Sequence, residues 1–571
     1  MKQTRVVGSA MLGVFVTMFS FSLHAALPDA GTIQRDIGDK LLEVPKASQN
    51  PPLSPAESRP PTEAEKGYKV TVRRFVIKGA SLFSEGVLGQ ELSGYVGREA
   101  TLADLNNAAK RITSYYARQG YLAEALVPAQ DIVDGVVVIQ VIEARLGSVR
   151  VAASEDVRFS RQRASDMVTG AQPSGEYIRI RDLERGLYLL QDTYGIRSSA
   201  VIRPGSGFGN VDAMITLASA PLVTGSVEFD NYGSVSTGEL RANATVNINS
   251  PLNIGDRLSL KALYSDGINY GRALYTIPLG THGLKAGVSV SYLDYRLGGD
   301  FASLDATGSA LTAGGFVSMP LILSRRSNLY GIIGYDYRLF RDDIASDLVS
   351  EKSIHSGSIG LAGGWFDDML GGGYTTAGAT VSLGSLDLSR VSDVEALDRI
   401  SANTSGSYQK INMSLSRIQQ LSGSSTRFIV SIAGQLASKN LDVSEKFMLG
   451  GPNGVRAYST NEGAGDEGFV VTAELRQSVT SALQLLAFYD YGMIRQYVDT
   501  WPGWTTDPGK SNIYSLDGIG IGILLSPMKG LSIKSSVATR LKTNPAANAD
   551  GKDHDGTKRE PRFWVEASYA F

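Results

Sequence analysis

The sequence predicts an all-β membrane barrel of 16 antiparallel strands, preceded by two α+β domains and a short N-terminal helix. Three observations point there. From Pro221 to Phe571, apolar residues alternate with small or polar ones over stretches of roughly ten positions, as in strands with one face toward lipid and the other toward a wet lumen. After the N-terminus, no segment reaches the roughly 18 uninterrupted apolar residues of a membrane helix. At 571 residues the chain also exceeds one ordinary core, so several domains or one very large sheet are required. An exported membrane protein without helical spans satisfies its backbone groups in lipid by closing its strands on themselves, which also removes every sheet edge.

The elements follow in chain order. Lys2 and Arg5 precede the apolar run "MLGVFVTMFSFS" (Met11 to Ser22) and the small residues of "LHAA". This is the pattern of an export signal, residues 1–25, cleaved after Ala25 or Ala26; the alternative, an uncleaved anchor helix, needs a longer apolar run. Residues 26–44 include "DAGTIQRDIGDKLLEV", which as a helix places Ile33, Ile37 and Leu41 on one side. An N-terminal tail without fixed structure is the competing reading. Residues 45–67 carry six prolines and almost no large apolar residue, the composition of an extended linker.

From Tyr68 the texture becomes compact α+β. Residues 68–145 begin with the strand-like "YKVTVRRFVIKGA". They continue with "TLADLNNAAKRITSYYARQGY", whose Thr101 cap, helical spacing of Leu105, Ala108, Ile112 and Tyr116, and stop at Gly120 mark a helix. They end in strands around an Asp134-Gly135 turn. Residues 146–220 repeat the plan, with "GSVRVA", the helix "RIRDLERGLYLLQDT" and the hairpin "SSAVIRP" and "VDAMITLAS", so that two units share the order β-α-α-β-β.

In residues 221–571, sixteen alternating segments begin near Val223, Leu240, Arg257, Tyr270, Lys285, Ser309, Asn328, Lys352, Gly373, Gly406, Thr426, Gly468, Leu483, Tyr514, Leu531 and Arg562. An even count returns both ends of the barrel to one side of the membrane. A soluble β-sandwich array fails on the placement of aromatics, and the terminal "FWVEASYAF" puts Phe563, Val565, Ala567, Tyr569 and Phe571 on one face. Between the eleventh and twelfth strands lies a long glycine-rich connection, about 439–467, carrying "GGPNGVRAYST". A loop of this length in a compact barrel is usually functional.

Composition removes other functions. With 55 basic and 57 acidic residues there is no bulk electrostatic argument for nucleic acid. Zero cysteines exclude a disulfide framework and a cysteine nucleophile. The four histidines fall in no metal-ligand spacing, and no nucleophile elbow or phosphate-binding loop occurs, so neither catalytic residues, nor metal, nor cofactor is expected.

The segments "FVIKGASLFS", "YYARQGYLAEALVPAQDIVDGVVVIQVIEARLGSV" and "DNYGSVSTGELR", in the order signal, helix, proline-rich linker, two α+β units and barrel, resemble the two-partner secretion outer-membrane transporters. These are the B components of the haemolysin/haemagglutinin secretion-activation family, within the superfamily of barrels with polypeptide-transport-associated (POTRA) domains. The resemblance implies an outer-membrane pore of a Gram-negative bacterium with its POTRA domains in the periplasm. It would secrete, and in some members activate, a large β-helical exoprotein: adhesin, haemolysin, haem-binding protein or contact-dependent toxin. With no ATP in the periplasm, folding of the cargo outside the cell would drive export. At rest the N-terminal helix would plug the lumen together with the sixth loop, folded inward. The alternative within the superfamily is an assembly insertase, which more typically carries more POTRA domains and no proline-linked helix; a diffusion porin has none. The family's sixth loop carries a Val-Arg-Gly-Tyr/Phe tip, matched by Val455, Arg456, Ala457 and Tyr458. Ala457 replaces the usual glycine, so any left-handed backbone there would be strained. The arginine meets an acidic residue in an F-x-D-x-G strand motif, matched by Phe488, Asp490 and Gly492, and the pair would latch the loop. An ordinary solvated loop arginine is the plain alternative. The C-terminal aromatics Tyr569 and Phe571 resemble the signal read by the barrel-assembly machinery, and lipid of the outer membrane is the remaining partner.

Overall fold

The structure is a computed structural model that describes residues 28–38, 69–421, 425–505, 510–548 and 550–571. The export signal (1–25) and the proline-rich linker (45–67) lie outside the described residues. The first element, α1 (Ala30–Ile37), is capped by Asp29, whose side chain accepts from Thr32 N, and ends where Gly38 turns left-handed (φ 65°). It is shorter than the 29–44 pattern, because Gly38 stops it one turn before Leu41, which is itself outside the described residues.

The first α+β unit comprises β1 (Lys69–Thr71), β2 (Arg74–Lys78), α2 (Glu85–Glu91), β3 (Glu99–Thr101), α3 (Leu102–Arg118), β4 (Ala123–Leu126) and β5 (Val136–Glu143). Thr101 and Asp104 form a reciprocal capping box at the start of α3, and the helix buries Leu105, Ala108, Ala109, Ile112 and Tyr116 against the β2-β5-β4 sheet. Asp134 and Gly135, both at positive φ, turn the chain into β5, whose Val137, Ile139 and Val141 alternate into the core. The small β1-β3 sheet is an addition to the β-α-α-β-β plan; three-residue strands are too short to show a period in sequence. The second unit runs β6 (Arg145–Ala153), α4 (Arg161–Ala171), α5 (Ile180–Gln191), β7 (Ile196–Pro204) and β8 (Asn210–Ser219), with sheet order β6-β8-β7.

A single residue, Ala144, separates β5 from β6, so the joint between the units has little slack. Glu143 fixes it further. Its carboxylate accepts from Ser81 N and Leu82 N at 2.8 Å each, from Tyr116 OH at 2.7 Å and from the Ser81 hydroxyl, which also meets Tyr177 of the second unit at 2.6 Å. Arg145 stacks on the Tyr177 ring, 3.7 Å from its centre.

The remaining strands close into one antiparallel barrel in sequence order, β26 returning to β9. They are β9 (Val223–Asp230), β10 (Arg241–Asn249), β11 (Arg257–Ser265), β12 (Ile268–Leu279), β13 (Leu284–Arg296), β14 (Ala306–Leu323), β15 (Ser327–Ile344), β16 (Asp347–Asp367), β17 (Gly373–Asp387), β18 (Gly406–Gln420), β19 (Thr426–Ala437), β22 (Glu467–Ser478), β23 (Leu483–Arg495), β24 (Ile513–Met528), β25 (Leu531–Arg540) and β26 (Arg562–Ala570). Within the connection that follows β19 lie β20 (Phe447–Met448) and β21 (Ala464–Gly465), and α6 (Ser392–Ile400) sits between β17 and β18. The largest departure from the sequence pattern is β16, which starts at Asp347 rather than near Lys352. Ala345 and Ser346 adopt positive φ in a two-residue turn, and the hairpin ladder runs on from it.

The second unit docks on the barrel's near-side turns. Lys285 reaches the Asp192 carboxylate at 2.7 Å, Arg163 donates to Pro278 O at 3.1 Å, Arg185 to Pro320 O at 2.9 Å, and Ser250 to Arg158 O at 3.1 Å. The two units therefore project from one end of the barrel, and the long connections with odd pairing order lie at the other.

Glu143 gives a pH-dependent expectation for the joint. Burial pushes its carboxyl up, but the donors Ser81, Leu82 and Tyr116 outweigh that and hold it below the usual carboxylate range. A carboxyl depressed in the folded state adds stability above its unfolded value, near pH ~4.3, and loses it as pH falls through the folded value. Glu143→Gln, which keeps the shape but not the charge, should destabilise the first unit by about 1–3 kcal/mol at neutral pH. Chemical denaturation should show that gap shrinking in acid; a gap independent of pH would contradict the role.

Candidate functional site: the inward-folded loop between β19 and β22

Residues 438–466 form the sixth connection at the end distal to the α+β units, and their tip turns back to the barrel wall. Glycines make the fold-back possible. Gly451 holds φ 102°, and a Cβ on Gly454 would lie 2.0 Å from Leu449 O. The turn is closed by Val455 N to Leu449 O (2.7 Å) and Gly450 N to Glu462 O (2.8 Å). At the base, Lys446 reaches Asp466 at 2.6 Å and lies 4.1 Å from the Tyr497 ring centre.

The tip presents Arg456, 5 % exposed, to β22 and β23. Its Nε donates to Asp490 Oδ2 and its Nη2 to Asp490 Oδ1, both at 2.8 Å, a bidentate fork, while its own backbone N–H reaches Oδ2 at 3.1 Å. Nη1 donates to Glu474 Oε2 at 2.8 Å, and Arg476 Nε supplies Glu474 Oε1 at 2.5 Å. The guanidinium stacks 3.2 Å from the Phe488 ring centre. Trp564 of β26 donates its indole N–H to Arg456 O at 2.7 Å, and Thr460 donates to Tyr232 O at 2.9 Å, so the tip also touches the strand pair that closes the barrel.

The three matched positions of the F-x-D-x-G motif, within "FYDYG" (Phe488 to Gly492), have separate jobs. Phe488 lies under the guanidinium and over Gly520, where a Cβ would sit 2.3 Å from its ring. Asp490, fully buried, takes the charge. Gly492 leaves room for Leu449 and Val455, the first of which would lie 2.7 Å from an added Cβ. Val455, Ala457 and Tyr458 join Leu449, Phe488, Ile494, Leu516 and Ala538 in an apolar cluster around the ion pair. Ala457 is not in left-handed backbone; among the described non-glycine residues with positive φ, the nearest is Asn461. The strain that an alanine there would bring does not arise, and Gly518 opposite provides its space. Tyr569 and Phe571 lie elsewhere, on the outer face at the opposite end, where Phe571 and Gly225 exchange backbone bonds of 3.0 Å.

Helix α1 lies inside the barrel and is bound to this loop. Ile33 and Ile37 pack against Leu263, Tyr270, Leu293, Tyr295 and Phe340 of the inner wall. Lys352 of β16 bridges Asp29 (2.6 Å) and Asp442 of the loop (2.9 Å), Arg35 donates to Val443 O, and Asn461 donates to Asp36. Ala30 N and Tyr295 OH both donate to Asp342, each at 2.8 Å. The sequence motifs pointed to Arg456 and Asp490; Glu474, Trp564 and the Lys352 bridge were not among them. Alternation alone put Glu474 on the inner face of β22, but its place beside Asp490 depends on the register, which pairs Thr472 with Asp490.

Residues 209–522 match the family "Haemolysin secretion/activation protein ShlB/FhaC/HecB", and residues 70–144 match its POTRA domain of ShlB type. Among curated proteins, the Heme/hemopexin transporter protein HuxB of Haemophilus influenzae is 26 % identical over 557 residues, covering 95 % of each chain. The Outer membrane transporter CdiB of Escherichia coli is 24 % identical over 492 residues, 81 % of this chain and 80 % of that one. Among solved structures, CdiB from Escherichia coli superposes with a TM-score of 0.67 at 21 % identity, covering 90 % of this chain and 93 % of that one. BamA from Haemophilus ducreyi lacking POTRA domains 1-3 gives 0.52 at 16 % identity, covering 88 % of this chain and all of that one. This chain belongs to the haemolysin secretion/activation family of two-partner secretion proteins, and it resides in the outer membrane of a Gram-negative bacterium with its α+β domains in the periplasm.

Among the described residues, Lys352 joins α1, loop and wall at a single point. Replacing it with methionine leaves Asp29, Asp442 and Asp342 close together without it. Lys352→Met should loosen α1 and raise conductance in planar bilayers while folded barrel in the membrane stays near its normal amount; a conductance equal to that of the parent protein would show that the bridge does not hold the helix.

Proposed function

We propose that this chain is a translocation pore that recognises and secretes one large exoprotein, with the two POTRA units as periplasmic receptor and with α1 and the sixth loop occupying the lumen at rest. The supporting observation is the lumen itself: helix and loop are tied to each other through Lys352, Arg35 and Asp36, and the loop is tied to the wall through Arg456. A barrel serving only diffusion has no need of a removable filling, and one serving only as an anchor has no need of a lumen.

The cargo is a secreted protein by analogy with relatives named for heme/hemopexin transport and, in Serratia marcescens, for haemolysin transport, the latter 24 % identical over 235 residues. The adhesin and contact-dependent toxin classes fit the same architecture. An unfolded, β-prone segment of cargo would engage a POTRA sheet edge by strand addition, where the backbone supplies the bonds and side chains the selectivity. Export would draw on the cargo's own folding outside the cell, since hydrophobic burial there makes each emerged segment hard to withdraw. The sequence has no nucleotide-binding loop with which to do otherwise.

In this reading Arg456 and Asp490 latch the loop. Arg456→Ala leaves two buried carboxylates short of their partner, a cost of about 3–5 kcal/mol if the site stays dry. Secretion normalised to folded barrel should fall steeply for Arg456→Ala and for Asp490→Ala, and the double variant should be no worse than either, because partners in one interaction are non-additive. Single defects that simply multiply would mean the two residues act independently.

Tyr569 and Phe571 are proposed as the signal for assembly. Phe571→Ala removes an exposed ring but leaves the β26–β9 ladder intact, so it should reduce the amount of folded barrel without changing secretion per barrel. Normal barrel amounts with lost secretion would contradict the assignment.

A further inference from the structure

The lipid-facing side of the barrel carries a hollow with an ordered lining. Leu263, Tyr270, Leu293 and Tyr295 share a buried cluster with α1 and so mark the lumen side of β11, β12 and β13. Their neighbours Ala262, Tyr264, Asn269, Gly271, Tyr292 and Asp294 therefore face lipid, and the register sets Ala242 and Ala244 of β10 opposite Tyr264 and Ala262 on the same side. Together they line a hollow of about 580 Å³, within the ~300–1,000 Å³ of ligand-binding pockets. Its floor is Ala242, Ala244, Ala262 and Gly271, and a Cβ added to Gly271 would meet nothing within 4 Å, so the space above the floor is open. The exposed rings of Tyr264 and Tyr292 flank it, as aromatic girdles do at a membrane surface.

The polarity of the lining changes with height. β10 and β11 have nine residues each, the lower end of what a tilted strand needs to cross a bilayer, so their ends lie at the membrane surfaces. The hollow is at the end distal to the α+β units, where Tyr264 and Asn269 pair beside the Asp266-Gly267 turn. There Asn269 donates to the Asp294 carboxylate at 2.9 Å, and two residues further out along β13 the same face carries the exposed Arg296. Charged groups on the lipid side cost little only near the interface, which is where these two stand. From the floor outward the lining is apolar, then amide and carboxylate, then cationic.

We infer that this hollow binds one molecule of lipid A, the acylated glucosamine glycolipid of the outer leaflet, with an acyl chain on the floor, sugar hydroxyl and amide groups at Asn269 and Asp294, and a phosphate at Arg296. The occupant follows from position and from the order of the lining. The hollow opens to lipid at the outer surface, and an amphiphile with an apolar chain, a hydrogen-bonding sugar and an anionic head matches it from floor to rim. A phospholipid lacks the sugar between chain and phosphate. Val227 of β9 is part of the lining, so the bound lipid also touches a strand of the pair that closes the barrel. The site depends neither on the plug nor on the cargo.

The test is native mass spectrometry of the full-length protein in detergent, titrated with lipid A, phosphatidylethanolamine or phosphatidylglycerol. The parent chain should retain one lipid A at concentrations where neither phospholipid stays bound, and its thermal unfolding midpoint should rise with added lipid A, since a ligand of the folded state stabilises it. Gly271→Leu, which fills the open space above the floor, and Arg296→Gln, which removes the phosphate contact at an exposed position, should each lose most of the retained lipid A and most of the rise in midpoint. Arg296→Gln provides the reading should Gly271→Leu fail to insert. Equal retention of the phospholipids overturns the inference, as do retention unchanged in both variants and a parent chain that retains no lipid A.

Discussion

Every backbone N–H and C=O that meets lipid has to be paired within the protein, and in a chain that crosses by strands this forces closure. The ladder between β26 and β9 that achieves it covers only Ser226 to Asp230 against Glu566 to Ala570. It is extended at one end by Asn231, whose side chain donates to Phe563 O (2.9 Å) and accepts from Val565 N (2.8 Å), and at the other by the paired backbone bonds of Gly225 and Phe571. Once closed, the alternation along each strand turns one set of side chains toward lipid and the other into a lumen too wide for side chains from sixteen strands to fill. The charges that cannot face lipid collect there, and α1 and the sixth loop occupy part of the space between them.

The occupant nearest the wall is held by an interaction that carries its own risk. Burying Arg456 without partners would be costly, and it has two carboxylates, a bidentate contact and an aromatic face. Arg476 supplies the second positive charge, so that two cations stand against Asp490 and Glu474. The glycines complete the geometry, because Gly492, Gly518 and Gly520 let Leu449, Ala457 and Phe488 approach the sheet more closely than any side chain would permit. The ion pair and the small residues around it are parts of one fit.

Much of this was legible in the sequence, for definite reasons. Strand period survives in a barrel because one face always meets lipid, and Thr101, Asp104 and the Asp134-Gly135 turn are local chemistry that local sequence records. What escaped was of two kinds. The Ala345-Ser346 turn carries none of the usual Asn-Gly signal, so β16 reads as starting late. The Lys352 bridge joins residues 323 and 90 positions apart, and no periodicity records which lumen charges meet. Glu474 stands between these cases, since alternation faces it inward but only the register sets it beside Asp490. Gly38, a left-handed cap, also bounded α1 more tightly than its apolar spacing implied.

The forces that hold the barrel and those that hold its contents differ in kind. The wall depends on ladder bonds shielded by lipid, which water cannot replace. Helix α1 buries few large apolar side chains, Ile33 and Ile37 with Ala30, a contribution on the order of 3–6 kcal/mol by area. Its other anchors, Lys352 to Asp29, Arg35 to Val443 O and Asn461 to Asp36, are polar contacts, for which water offers alternative partners once α1 moves. Moving α1 therefore exchanges protein partners for water at most of its contacts and exposes little apolar surface, while no bond of the wall is broken. In the role proposed for α1, a filling bound in this way would leave the lumen without breaking the barrel's ladder.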